Sequence, residues 1–211
     1  MNIQTKIVPA ATATAPRWPA FDWTDPLLLE IPEELSSERL TLRMPRAGHQ
    51  QQVFESIHAS LPELERWLSF AQTPPTLEEC EARLRRNHAR FLLRKALNFE
   101  LFLRFSDLFV GRVGFVRLDW TLRKFEMGYW LDSRFTGQGL MLEAVQTLTQ
   151  MAFSTLAARR VEILCDVPNT ASRRVAEKAG FTLEGILKNN ALDVQNSSVW
   201  VDDCIYARVQ P

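Results

Sequence analysis

The sequence contains few of the residues that usually build metal sites and disulfide frameworks. Its 211 residues include only three cysteines and three histidines. The cysteines are far apart, with no CxxC pair, and the histidines show no ligand spacing, which argues against a disulfide framework and a structural zinc site. Reduced thiols are typical of the cytosol. We therefore expect no metal and a cytoplasmic location.

Long apolar runs and an excess of charge of one sign are also absent. No stretch approaches the roughly 18 apolar residues that span a bilayer, and the N-terminus lacks the apolar run and cleavage pattern of a signal peptide. Lys plus Arg and Asp plus Glu each number 25, so the formal net charge is zero. A balanced charge gives no bulk attraction to nucleic acid or to an anionic membrane. We expect neither as a partner.

Proline is concentrated near the start of the chain. Residues 1–34 are rich in Ala, Thr and Pro, a composition that predicts an extended or disordered arm. Residues 35–211 are expected to form one folded domain. A chain that is 46% hydrophobic and 24% charged can build an ordinary globular core.

Hydrophobic spacing in this domain alternates between the periods of strands and helices. Strands are predicted at 37–43, 98–105, 109–118, 124–131, 161–167, 181–192 and 197–209. Helices are predicted at 47–60, 61–68, 76–95, after residue 139 to about 156, and at 169–179. This order predicts an α/β fold, an α+β mixed sheet of about seven strands flanked by helices. A helix connects the strands at 124–131 and 161–167, so we expect these strands to be parallel neighbours.

Two of the eight glycines fall in the sequence RFTGQG, between a predicted strand and a predicted helix. Gly137 and Gly139 let the backbone adopt conformations closed to other residues and let a ligand approach closely. The N–H groups of residues 137–141 have no intrahelical acceptor, and the helix dipole adds partial positive charge. Arg134 adds a charged donor. Such a turn suits a phosphate or pyrophosphate, although two glycines before a helix are more often only a turn.

A second motif, at the right distance, gives this turn a family resemblance. RFTGQG resembles the R/Q-x-x-G-x-G/A motif of the GCN5-related N-acetyltransferases (GNAT), and Asn169, followed eleven residues later by Gly180-Phe181, is similar to that family's next motif. The stretches SERLTLR, VGRVGFVRLD and AEKAGFTLEGILKN resemble the RimJ/RimL-type ribosomal-protein N-terminal acetyltransferases. The resemblance spans about residues 36–208. It implies the GNAT acyl-CoA acyltransferase fold, with two strands splayed at the CoA site.

The resemblance also implies acetyl-CoA as the co-substrate, held between the strands at 124–131 and 161–167. The backbone around Tyr129–Leu131 would pair with the pantetheine amides, the N–H groups of residues 137–141 would hold the pyrophosphate, and Asn169 would bond to the pantetheine. The implied cofactor-binding residues are Tyr129, Trp130, Leu131, Arg134, Gly137, Gln138, Gly139, Leu140, Met141, Asn169 and Ser172.

Transfer of an acetyl group to an amine needs a base, because only the neutral amine attacks. Glu126 is the first candidate, since it lies on the strand that enters the site, and Asp119, at the end of the preceding strand, is the second. Either carboxylate could instead face solvent or pair with Arg117 or Arg123.

The reaction also needs a donor to the carbonyl oxygen and a proton for the departing thiolate. The backbone N–H near Leu131 is the expected donor. Many members of the family place a Tyr in the helix after the Asn, but this chain has Ala176 there. The resemblance to RimL-like proteins assigns the thiolate's proton to Ser172, which could otherwise be only a small residue in the first turn of a helix.

The expected function is acetyl-CoA-dependent N-acetylation of a protein N-terminal amine. The acceptor could instead be a small amine such as a polyamine, an aminoglycoside or an amino-acid derivative. The chain could also be a non-catalytic CoA-binding sensor domain, or an interaction module that binds no CoA. The early helices and the final hairpin should form the acceptor side, where the motifs are weakest. A monomer and a homodimer both remain open.

Overall fold

The computed structural model describes residues 25–210. Most of the predicted arm, residues 1–34, therefore lies outside the described residues. In its described part, Pro26–Leu28 forms a 3-10 turn. The Arg94 guanidinium donates to the carbonyl oxygen of Leu29 at 2.8 Å, and Ile31 is buried at 7% exposure. This end of the arm packs on the domain.

Eight strands and five α-helices make up the described part of the chain. The strands are β1 (Glu34–Ser36), β2 (Leu40–Arg43), β3 (Leu97–Leu103), β4 (Phe109–Asp119), β5 (Lys124–Leu131), β6 (Arg160–Asp166), β7 (Thr182–Leu192) and β8 (Trp200–Val209). The helices are α1 (Gln50–Ala59), α2 (Leu61–Leu64), α3 (Leu77–Leu92), α4 (Leu140–Ser154) and α5 (Thr170–Lys178).

All eight strands form one mixed sheet in the order β1-β2-β3-β4-β5-β6-β8-β7. Strands β5 and β6 are parallel, and every other neighbouring pair is antiparallel. The predicted mixed sheet and the predicted parallel pair are confirmed. Helix α4 connects the two parallel strands, as a crossover between parallel neighbours requires.

The strand count differs from the prediction of about seven because of a hairpin at the start. The predicted strand at 37–43 begins only at Leu40, since residues 37–39 form a turn. The Ser37 N–H donates to the Leu40 carbonyl at 2.9 Å, and the Ser37 hydroxyl accepts from the Leu40 N–H at 3.2 Å. These bonds reverse the chain, so Glu34–Ser36 can pair with β2 as an extra strand.

The two faces of the sheet are covered by different helices. On one face, α4 buries Leu140, Ala144 and Leu148, which recur at helical spacing and pack into the main core. On the other face, α1 and α3 pack with Phe102, Phe109 and Trp130 in a second cluster. We call these the α4 face and the α3 face.

Helix α3 begins where the sequence indicates. The Thr76 hydroxyl accepts from the Glu79 N–H at 3.2 Å, and the Glu79 carboxylate accepts from the Thr76 N–H at 2.8 Å. This reciprocal capping box satisfies two N–H groups that the first turn would otherwise leave without partners. It fixes where α3 begins.

Candidate active site

Strands β5 and β6 separate part-way along their length. Four residue pairs join them, from Lys124–Arg160 to Met127–Ile163. Beyond that point β5 continues to pair with β4, and β6 continues to pair with β8. The two strands therefore diverge, as the resemblance implies, and a groove of about 850 Å³ opens between them.

The register of the sheet shows which backbone groups point into this gap. Asp132 N–H donates to the Val110 carbonyl at 2.8 Å across β5 and β4. In an antiparallel ladder, residues alternate between bonding to the partner strand and pointing away from it. The N–H and C=O groups of Tyr129 and Leu131 therefore point into the gap, whereas those of Trp130 point to β4. An extended ligand can add to this edge as a further strand would.

The glycine turn adopts the conformation that only glycine favours. Gly137 has φ 76° and Gly139 has φ 77°, and Gly139 is the N-cap of α4. A Cβ added at Gly137 would meet no atom within 4 Å, because the turn opens onto the groove. The predicted residues that line the groove here are Gly137, Gly139, Leu140 and Met141. Free N–H groups at the start of a helix favour an anion.

Arg134 supports this turn and does not line the groove. Its Nε lies 3.0 Å from Asp132 Oδ1, and its Nη2 lies 2.5 Å from Asp132 Oδ2. Asp132 is fully buried. Burial alone would raise the pKa of Asp132, but the hydrogen bonds from Arg134 outweigh it and lower the pKa. The predicted charged donor is therefore already bound to a carboxylate.

The sequence did not single out Arg39, which holds the same turn from the opposite side. Its Nη1 donates to the Gln138 carbonyl oxygen at 2.9 Å, so Gln138 is part of the turn without lining the groove. The Arg39 Nε donates to Glu143 Oε2 at 2.7 Å. The only available signal was the stretch SERLTLR, which gives no role for this arginine.

Three protonated groups meet at the edge of the gap on the α4 face. The hydroxyl oxygens of Tyr129 and Ser172 are 3.0 Å apart. Burial raises the pKa of Tyr129 well above its ordinary value. Burial also raises the pKa of the Cys165 thiol to about 11, and contact with Ser172 only partly offsets this rise. At neutral pH all three groups can donate a proton or a hydrogen bond.

Asn169 fixes the position of Ser172. It is the N-cap of α5, and its Oδ1 accepts from the Ser172 N–H at 3.0 Å. An N-cap of this kind holds the first turn in place. Both residues line the groove, as do Tyr129, Trp130 and Leu131. The structure thus brings these five predicted residues together.

The two predicted bases do not line the groove in the described part of the chain. Glu126 Oε2 accepts from Arg117 Nη1 at 2.8 Å, and its pair on β6 is Glu162, within the closed part of the ladder. Asp119 is the last residue of β4 and accepts from the Leu122 N–H at 2.9 Å. The catalytic role of each remains a prediction.

The groove also has two cations that the sequence did not indicate, and an aromatic side chain on its opposite wall. Arg174 and Lys178, one turn apart on α5, bring two cations to the groove. Trp67 and its neighbours after α2 form part of the opposite wall, and the Arg66 guanidinium lies 4.7 Å from the Trp67 ring centroid. Exposed basic residues on a helix give no signal until the fold shows which surface they border.

Residues 25–210 contain neither a metal-binding cluster nor a membrane-spanning helix. No group of three or more His, Cys, Asp or Glu side chains there could hold a metal ion. No helix in that range is both long and apolar enough to cross a membrane.

The fold and the groove agree with what comparison with known proteins finds. The sequence profile of the acetyltransferase (GNAT) domain matches residues 39–182. The chain therefore belongs to the GNAT acetyltransferase family, and it is an N-acetyltransferase by class.

Two relatives are similar to the chain over most of its length. The chain is 30% identical to the ribosomal-protein-serine acetyltransferase of Escherichia coli (strain K12) over 179 residues, which is 82% of this chain and 94% of that protein. It is 31% identical to YdaF of Bacillus subtilis (strain 168) over 154 residues, or 71% of this chain and 81% of that protein.

Solved structures show the same fold. RimL, a ribosomal L7/L12 α-N-protein acetyltransferase in complex with coenzyme A, superposes with a TM-score of 0.75 at 27% identity, over 85% of this chain and 97% of that chain. The microcin C7 self-immunity acetyltransferase MccE, in complex with acetyl-CoA and AMP, gives a TM-score of 0.78 at 22% identity, over 85% of this chain and 98% of that chain.

Proposed function

We propose that the protein transfers the acetyl group of acetyl-CoA directly to the N-terminal α-amine of a protein. The observation that carries this proposal is the gap between β5 and β6, which ends at the glycine turn of α4. One groove thus offers a backbone edge for an extended arm and an anion cradle for phosphates. Acetyl-CoA has an extended amide arm joined to a pyrophosphate.

The cofactor would lie along this groove with its pantetheine arm in the gap. Its amides would pair with the backbone of Tyr129 and Leu131, whose polar groups point there. Its pyrophosphate would rest on the N–H groups after Gly137, where the helix dipole favours negative charge. Arg174 and Lys178 line the same groove and would attract the phosphate on the ribose of CoA.

The thioester would then lie beside Ser172. The N–H of Leu131 points into the gap and would donate to the carbonyl oxygen as it gains charge. The Ser172 hydroxyl would give a proton to the departing thiolate, supported by the Tyr129 hydroxyl 3.0 Å away. No covalent enzyme intermediate is needed, because the amine attacks the thioester directly.

A protein N-terminus is the acceptor that the relatives support best. The E. coli relative is named for acetylating a serine of a ribosomal protein, and it matches the chain over 82% of its length. The segment that ends α2 and follows it lines the groove, and a peptide would extend along it from its amine. The same side could admit a small amine, so the acceptor must be tested directly.

A panel of acceptors tests the proposal. Release of the CoA thiol is measured with peptides that have free N-termini, with the same peptides blocked by a formyl group, and with polyamines, aminoglycosides and amino acids. We expect turnover only with the free N-termini. Turnover with a small amine alone would mean that the acceptor is a small amine and not a protein N-terminus. Tight acetyl-CoA binding without any turnover would indicate a sensor domain.

The domain boundaries and location are part of the same proposal. We propose that residues 35–211 form the catalytic domain, within which the family match covers 39–182. We also propose a cytoplasmic enzyme, since ribosomal proteins are made there. A truncated chain beginning near residue 25 should keep its activity if the preceding residues have no catalytic part.

A further inference from the structure

Two carboxyl groups face each other where β6 borders the groove. Asp166 on β6 pairs with Asp203 on β8 in the antiparallel ladder. The neighbouring Val167 N–H donates to the Asp202 carbonyl at 2.9 Å, so Asp166 and Asp203 form the next, non-hydrogen-bonded pair. Side chains approach most closely in such pairs. Asp166 lines the groove, and Asp203 is only 6% exposed.

Like charges directly opposite each other repel unless one group carries a proton. Asn190 Nδ2 donates to Asp203 Oδ2 at 2.8 Å, so this carboxyl group already has a polar partner. Burial and the charge of Asp203 raise the pKa of Asp166, and Asp193, in the loop between β7 and β8, adds to this rise. Asp166 is thus the member of the pair that takes up a proton.

Trp130, on β5, also lines the groove, and its ring packs against Phe109 with centroids 5.6 Å apart. The four β5–β6 pairs share one register and end at Met127–Ile163; Trp130 and Asp166 each come three residues after this last pair, one on each of the diverging strands. Trp130 is 7% exposed. Its Nε1 has no hydrogen-bond partner among the described residues. A buried donor without a partner is costly, which indicates that a ligand oxygen completes it.

The gap therefore has two chemically different sides. Tyr129 and Cys165 belong to the core cluster of the α4 face, where Ser172 contacts Tyr129. Trp130 and Asp166, the next residues along the two strands, point to the α3 face. Proton donors for a leaving group lie on one side, and a carboxyl group with an indole N–H lies on the other. An acceptor that enters from the α3 face would approach the thioester opposite the leaving thiolate's donor.

We propose that Asp166 is the base that takes the proton of the acceptor's α-ammonium, that Asp203 positions it, and that Trp130 Nε1 donates to a carbonyl oxygen of the acceptor. This inference rests on the proposed function. It assigns to Asp166 the role that the sequence gave to Glu126 or Asp119.

The protons balance over the reaction. The Asp166 carboxylate first takes one proton from the ammonium group and later releases it to water. The neutral nitrogen then forms the C–N bond, and the C–S bond breaks. The thiolate takes its proton from Ser172, and the second proton lost by the nitrogen restores the Ser172 hydroxyl. The products are the N-acetylated acceptor and the CoA thiol.

The first test replaces Asp166 in the full chain and compares it with an adjacent carboxylate. Asp166→Asn should lower kcat/KM for a peptide acceptor about 100-fold, with acetyl-CoA affinity unchanged. Asp202→Asn is the matched control, because Asp202 is ion-paired with Lys188 at 2.7 Å and does not line the groove. It should keep the activity of the parent chain.

The pH profile separates a base from a structural residue. The parent chain should gain activity as pH rises through the pKa of the base, and Asp166→Asn should lose this acidic limb. Asp203→Asn should keep the limb but move it to lower pH, because the charge that raises the Asp166 pKa is gone. Asp193 remains in both variants as a smaller influence. A merely structural role of Asp203 would not move the limb.

Trp130→Phe tests the indole donor while it keeps an aromatic ring in the core. The peptide KM should rise roughly threefold to tenfold, the effect expected for one neutral hydrogen bond. The KM for acetyl-CoA should not change. An unchanged peptide KM would remove Trp130 from acceptor binding.

Other outcomes would overturn the assignment of the base. An unchanged rate for Asp166→Asn would do so, as would loss of the acidic limb in Glu126→Gln with Asp166 intact. If Asp166→Asn does not fold, the Asp203→Asn profile decides, since an unmoved limb rejects the pair. Failure of the proposed function looks different, because then the parent chain itself would turn over no acceptor.

Discussion

The hydroxyl groups of Tyr129 and Ser172 meet across the mouth of the gap, 3.0 Å apart. One comes from β5 and the other from the first turn of α5, two elements that are 43 residues apart in sequence. Their contact links β5, which should bind the pantetheine arm, to α5, whose first turn should lie beside the thioester sulfur. Both groups are protonated at neutral pH, so the pair can donate to a thiolate.

Replacing Ser172 should separate chemistry from binding. Ser172→Ala should lower kcat by roughly 100-fold, the typical effect of losing a positioned proton donor. The acetyl-CoA dissociation constant should stay the same, because the cradle is untouched. Rapid-quench turnover and calorimetric titration measure the two quantities. Thr170→Ala, an exposed neighbour in the same turn, is the control, and an equal loss there would remove Ser172 from the mechanism.

Two glycines allow a matched test of the cradle. Gly137 and Gly180 have φ of 76° and 82°, and an added Cβ meets no atom within 4 Å at either position. Alanine should therefore cost each variant a similar strain, about 1 kcal/mol. Only Gly137→Ala places a methyl group where a phosphate would rest. We expect it to weaken acetyl-CoA binding at least tenfold, which is about 1.4 kcal/mol. Equal affinities for the two variants would contradict the cradle.

The cations on α5 should act through charge. Reversing both, as Arg174→Glu with Lys178→Glu, should raise the KM for acetyl-CoA by about tenfold at low salt. The difference should shrink at about 1 M salt, where charges are screened within roughly 3 Å. Arg86→Glu with Arg90→Glu is the control, because these exposed residues have the same spacing on α3 and lie away from the groove. A similar effect of the control would indicate bulk charge alone.

The ionisation of Glu143 should make the stability of the folded protein depend on pH. Burial alone would raise its pKa, but hydrogen bonds from Ser37 and Arg39 lower it below the ordinary 4.5. A depressed pKa in the folded state stabilises the protein above the unfolded pKa, and this contribution is lost as the pH falls through the folded value. Glu143→Gln should lower stability by about 1–2 kcal/mol at pH 7.

The difference between parent and Glu143→Gln should therefore vanish at low pH. Unfolding by urea at pH 7 and at decreasing pH measures it. The parent chain should lose stability steadily below about pH 4.5, and the variant should lose less. A constant difference at every pH would mean that the Glu143 charge does not hold the turn.

The sequence was most informative where local chemistry decides the structure. The start of the helix near residue 76 and the parallel pair of β5 and β6 follow from spacing alone, and the glycine turn has the positive φ angles that its residues favour. The extra hairpin of β1 was missed because its turn is closed by the Ser37 hydroxyl and lacks a glycine or proline. Alternation in SERLTLR therefore looked like one strand.

The site residues that were missed depend on contacts between distant parts of the chain. Arg39 reaches a turn about 100 residues away, and no local pattern encodes that reach. Asp166 meets Asp203 only because β6 and β8 pair in one register. Glu126 and Asp119 were plausible bases by position on their strands, but their observed partners lie within the β4–β5 hairpin, and for Glu126 the partner is Arg117, the alternative that the sequence offered. Site residues within a local motif were therefore predictable, whereas site residues that the sheet brings together from distant strands were not.

Binding of acetyl-CoA to the full chain tests the central claim most directly. Calorimetric titration should give one cofactor per chain, with the same titration of Gly137→Ala shifted to at least tenfold weaker binding and that of Gly180→Ala unshifted. No detectable binding to the parent chain, or binding that does not respond to Gly137, would contradict the assignment of the groove between β5 and β6 as the acetyl-CoA site.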